Sequence, residues 1–109
     1  MLTPQQSAHF DTFGFVFFRQ AFSPAEMATI TSAAEEIWRN DEQEMEGEER
    51  RHGYFVERSP QLTALVTDER IYAVVTELLG PDLLWIGSEG NISNRSTVGW
   101  HPDRKYYLS

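Results

Sequence analysis

Residues 66–85 read VTDERIYAVVTELLGPDLLW, and two periodicities meet within them. Ile71, Val74, Val75, Leu78 and Leu79 recur at i, i+3, i+4, i+7 and i+8, which is one face of an α-helix begun by Asp68. Gly80 and Pro81 stop that helix, the first as a C-terminal cap and the second because it cannot continue one. LLWIGSEG (Leu83–Gly90) then reads as a partly buried strand. A helical part, residues 1–80, thus passes into a β part, residues 83–103, within a single unit spanning 1–109. The expected fold class is α+β.

The segments upstream carry their own helix signals. In LTPQQSAHFDTFG, Thr3 is an N-cap, Pro4 takes the first helical position, Gln6 closes a capping box and Gly14 ends the helix. FVFFRQ (Phe15–Gln20) is aromatic and β-branched, and reads as a short strand. FSPAEM repeats the capping pattern with Ser23, Pro24 and Glu26, and Phe22 and Met27 stand at the staple positions. Met27, Ile30, Ala34, Ile37 and Trp38 follow on one face, predicting a helix over about 24–39. Six acids occupy the nine residues 41–49, a like-charged stretch expected to be a solvated loop rather than a metal-collecting segment. YFVER is read as a short strand or extended segment, SPQLTALVTD as a helix begun by Ser59-Pro60, and NISNRSTVG as a loop or a loosely paired strand. The apolar stripes are expected to be core.

Composition narrows the function classes. Among 109 residues, 40% are hydrophobic and 13% aromatic, which suits a globular chain rather than a disordered one. No apolar run approaches the roughly 20 residues that span a bilayer, and the N-terminus lacks a basic head before an apolar stretch. A cytoplasmic location is therefore expected, and the sequons Asn91-Ile92-Ser93 and Asn94-Arg95-Ser96 carry little weight. Cysteine is absent, so disulfides, thiolate metal sites and cysteine nucleophiles are excluded. Any metal must use imidazole and carboxylate ligands, as iron, manganese or zinc can. The net charge of −8 repels phosphate backbones, so neither nucleic acid nor an anionic membrane is an expected partner.

Chemistry gathers at VGWHPD, residues 98–103. His101 and Asp103 are two apart, so on an extended strand their side chains project together and one metal ion can reach both. Pro102 between them is tolerated at a sheet edge or strand end. This is what a facial triad of non-haem iron(II) requires from one strand, the third ligand being a distant histidine. A histidine and an aspartate in a turn have the same spacing, so the triplet alone leaves both readings open.

The order of the surrounding segments resembles the phytanoyl-CoA dioxygenase family of iron(II)- and 2-oxoglutarate-dependent oxygenases. LTPQQSAHFDTFGFVFFRQAFSPAEM is similar to that family's opening helix, following strand and long-helix start. VTDERIYAVVTELLGPDLLW is similar to its helix ending in LLGpd before a strand, and WHPD stands where its His-x-Asp ligands lie. The resemblance covers nearly the whole chain except the acidic segment. It implies N-terminal helices packed on part of a double-stranded β-helix of jelly-roll or cupin-like form.

The same resemblance implies His101 and Asp103 as iron(II) ligands, 2-oxoglutarate as co-substrate, a small-molecule substrate, and Trp100 as a wall beside the metal. Asn91 is the best polar candidate to face the 2-oxoglutarate or substrate pocket, with a turn-forming role as its alternative. Arg104 either meets an anionic substrate or lies on the surface. His9 and His52 are expected to be ordinary residues rather than the third ligand. The family's distal histidine and its 2-oxoglutarate-holding arginine lie beyond the His-x-Asp strand. The 109 residues reach neither, and three or four strands are counted where a double-stranded β-helix has about eight. The chain is therefore expected to be the N-terminal portion of a dioxygenase, inactive alone, whose open sheet edges invite a homo-oligomer. The alternative is a truncated, non-catalytic interaction or oligomerisation module.

Overall fold

The structure, a computed structural model, describes residues 1–40, 49–93 and 99–102. In chain order its elements are α1 (Pro4–Phe13), α2 (Pro24–Asn40), β1 (Glu49–Gly53), a single 3₁₀ turn (Val56–Arg58), α3 (Pro60–Val66), α4 (Glu69–Leu79) and β2 (Glu89–Ser93). The chain is α+β, mainly helical, with β1 and β2 as an antiparallel pair.

The helices begin where short polar side chains dictate. Thr3 accepts from the Gln6 backbone N–H while the Gln6 side chain accepts from the Thr3 N–H, a complete capping box. Gly14 closes α1 in the left-handed region, with φ of 78°, where an L side chain would be strained. Ser23 and Glu26 repeat the reciprocal pair at the start of α2, at 2.7 and 3.2 Å. Ser59 caps α3 and Asp68 caps α4, the latter accepting from the Arg70 N–H at 3.0 Å. All four helices fall within about a residue of their expected limits.

The strands do not follow the sequence expectation. Phe15–Gln20 pairs with nothing among the described residues and bends into a turn at Arg19-Gln20. The YFVER segment, read as extended, instead makes a left-handed residue at Tyr54 and the 3₁₀ turn. The strand expected at Leu83–Gly90 starts only at Glu89, and residues 83–88 run without a ladder. In each case β-propensity signalled an apolar extended segment but could not supply the partner that makes a strand. The pairing that forms joins Glu49 to Ser93, Arg51 to Asn91 and Gly53 to Glu89. The expected acidic loop at 41–49 lies outside the described residues except for Glu49, which opens β1.

The core is small. Leu62 of α3, Ala33 of α2 and Phe55 beside β1 form its buried centre, with Ile30, Ala34, Ile37, Trp38, Val56 and Leu65 packed around it. The Trp38 and Phe55 rings lie 5.1 Å apart at 37°. Gly90 of β2 passes directly beneath Phe55, where an added Cβ would stand 2.5 Å from ring Cγ. The α2 stripe is thus core as expected, although Met27 at its N-terminal end is exposed. The α4 stripe is only partly covered, with Leu79 72% exposed and no buried residue on the helix. Phe13, Phe15, Phe17, Leu84 and Ile86 are among the apolar residues left uncovered.

Candidate functional site

The site begins with the segment after β2. Glycine, tryptophan, histidine and proline at 99–102 follow no helix or strand geometry, so His101 stands on an irregular stretch rather than within a ladder. Trp100 is fully exposed, and no described residue walls its ring. His101 is also exposed, and its Nδ1 lies 2.8 Å from the Gly99 carbonyl oxygen. A carbonyl only accepts, so in this contact Nδ1 is the donor. That is the arrangement in which a backbone carbonyl orients an imidazole for metal ligation through Nε2.

Asp103, the second expected ligand, and Arg104 lie outside the described residues. Asn91 sits at the centre of β2 opposite Arg51, exposed, so it is a strand residue rather than a turn former. His9 lies between aromatic rings, 4.7 Å from Phe13 and 4.8 Å from Phe15. His52 occupies β1 opposite Gly90. Among the described residues no three histidine, aspartate or glutamate side chains gather as a metal site. What is described of the donor set fits one imidazole ligand, oriented by its own backbone.

Two arrangements escaped the sequence reading. The first is centred on Arg70. Its guanidinium holds Asp68 through Nε and Nη2 at 2.8 and 2.7 Å and Glu26 through Nη1 and Nη2 at 3.1 and 2.9 Å. It also donates to the Ala21 carbonyl at 3.2 Å and covers the Phe22 ring at 4.3 Å. These bonds hold the Glu26 and Asp68 carboxyls down at about 2, Arg70 being the first cause for both. This cluster ties helix ends together and offers no open valence for chemistry.

The second arrangement lies past the end of the sheet. Tyr54 has a left-handed backbone, φ 54°, and its N–H donates to the Ser88 carbonyl at 2.8 Å. Glu57, on the 3₁₀ turn, accepts from the Trp85 indole N–H at 2.8 Å and from the Ser88 hydroxyl. The Ser88 Oγ in turn accepts from the Val56 N–H at 2.8 Å. The serine hydroxyl first, and then the indole, hold the Glu57 carboxyl below the usual carboxylate range. Glu57 and Ser88 are 31 residues apart, so local periodicity carries no sign of their contact.

Comparison with protein-family models, curated proteins and solved structures gives no match. No described helix is long and apolar enough to cross a membrane.

Proposed function

We propose that the chain forms the N-terminal portion of a non-haem iron(II)- and 2-oxoglutarate-dependent dioxygenase of the phytanoyl-CoA dioxygenase type. The observation that carries this reading is the His101 contact: Nδ1 donates to the Gly99 carbonyl, the kind of backbone bond that orients an imidazole ligating through Nε2. The helices at Pro4–Phe13, Pro24–Asn40 and Glu69–Leu79 support the helical part of the order that the resemblance implies, whereas its strand at Phe15–Gln20 does not form among the described residues and the strand after α4 begins only at Glu89.

In this reading His101 and Asp103 are two of the metal's ligands, and a further histidine completes the set. When bound, iron(II) with 2-oxoglutarate and dioxygen supplies oxidative decarboxylation and hydroxylation of an unactivated C–H bond. The residues of this chain hold and orient: the Gly99 carbonyl orients His101 through Nδ1, Asp103 brings a carboxylate two residues away, and Trp100 shields one side. Asn91 presents an amide from β2 toward 2-oxoglutarate or substrate. The remaining strands of a jelly-roll would lie against the apolar residues that are exposed, Leu84, Ile86 and Phe17 among them.

Those same exposed residues favour a second reading, a non-catalytic interaction or oligomerisation module. Anaerobic iron(II) titration of the 109-residue chain, with and without 2-oxoglutarate, separates the two. The dioxygenase reading expects binding that is lost in His101→Ala and Asp103→Ala, with no turnover of 2-oxoglutarate by this chain alone. Equal binding by both variants and the wild type removes the metal assignment.

A further inference from the structure

We propose that Tyr54, Glu57 and Trp85 form a recognition site for an organic ammonium ion, independent of the iron reading. Three observations converge on it. Glu57 is the anion: both its oxygens are occupied, yet by neutral donors, Trp85 Nε1 and Ser88 Oγ, and no cation pairs with it among the described residues. Glu26 and Asp68, by contrast, each have Arg70. The Glu57 charge is therefore fixed in direction and, among the described residues, uncompensated.

Two aromatic rings flank it. Tyr54 is 68% exposed and Trp85 49% exposed, although both are large enough to be core residues. Neither is loose. The Trp85 indole is tethered to Glu57, and Tyr54 is held by its N–H bond to Ser88 in a left-handed conformation that costs an aromatic residue energy. Gly87 lies beside both the Tyr54 ring and the Glu57 carboxylate. A Cβ built there would stand 3.5 Å from Tyr54 Cε1 and 3.9 Å from Glu57 Oε1, so ring and carboxylate both border a stretch of backbone that carries no side chain.

A preoriented carboxylate beside exposed aromatic faces is the chemistry that holds alkylated ammonium groups, through charge and through attraction of the cation to the ring quadrupole. A strongly hydrated ion such as sodium gains little from the rings, whereas a methylated ammonium sheds little water and uses both. The net charge of −8 adds long-range attraction for such a ligand.

The test is a titration of the ¹⁵N-labelled chain with choline at constant ionic strength, read at the Trp85 indole N–H. Its neutral isostere 3,3-dimethyl-1-butanol is the control. Saturable shifts with choline and none with the alcohol are expected. Glu57→Gln keeps an acceptor for the indole and should weaken choline about two- to fivefold, as an exposed charge contact does. Tyr54→Asn keeps a residue that tolerates the left-handed backbone and should weaken it by a similar factor through loss of the ring. A short peptide bearing one trimethyl-lysine, tested alongside, distinguishes a protein source of the cation from a free small molecule, and binding of either supports the site. Equal shifts with choline and the alcohol, or unchanged choline affinity in Glu57→Gln, overturn it.

Discussion

Arg70 and Glu26 lie 44 residues apart in sequence and 2.9 Å apart in space, joining the first turn of α4 to the first turn of α2. The contact is two-pronged, and the same guanidinium grips Asp68 in the same way. One cation thus serves two helix N-termini.

That geometry predicts an acid transition. Glu26 falls from 4.5, and Asp68 from 3.8, to about 2 each in the folded state. Both folded values are depressed, so the stability they contribute is present above the unfolded values and is lost as pH falls toward 2. The thermal midpoint should hold steady above about pH 5 and decline between pH 5 and 2. Arg70→Met should lower the neutral-pH midpoint and flatten that decline. An unchanged acid profile in the variant would refute the linkage.

Gly90→Ala should destabilise by about 1–3 kcal/mol, because its Cβ would enter the Phe55 ring and a packed core resists overfilling. Chemical denaturation measures the loss. In a Phe55→Leu background the same change should cost clearly less, since the clash is with the ring.

Leu62→Ala should cost about 2–5 kcal/mol, as Leu62 is 3% exposed at the centre of the buried cluster. Domains of this size hold roughly 5–15 kcal/mol in all. A broadened or vanished cooperative transition in urea is therefore expected.

His101→Ala should change the metal-free stability by no more than about 0.5 kcal/mol, leaving the thermal midpoint nearly in place, because its side chain is exposed and outside the core. Paired with the iron titration, this distinguishes a ligand from a structural residue. A marked fall in the midpoint would assign His101 to folding.

Part of the proposed metal site could be read from spacing alone, since His-x-Asp is a local pattern, and the structure adds the Gly99 carbonyl beside His101 Nδ1. The Tyr54–Glu57–Trp85 cluster left no such trace. Its members belong to two segments, and YFVER looked like a strand because its aromatic and β-branched residues favour one. A left-handed Tyr54 is not a choice that local propensity predicts.

By itself the sequence determined the helices, their starts at Thr3, Ser23, Ser59 and Asp68, and their stops at Gly14 and Gly80. Each signal acts across three or four residues, the range over which a cap bonds or a helix face repeats. The tertiary structure alone decided that Glu49–Gly53 pairs with Glu89–Ser93, that Phe55 rather than α4 centres the core, and that Arg70 and Glu57 find their partners. A ladder or an ion pair between segments 30 to 45 residues apart depends on which backbones the packing brings within reach, and no local window contains that information.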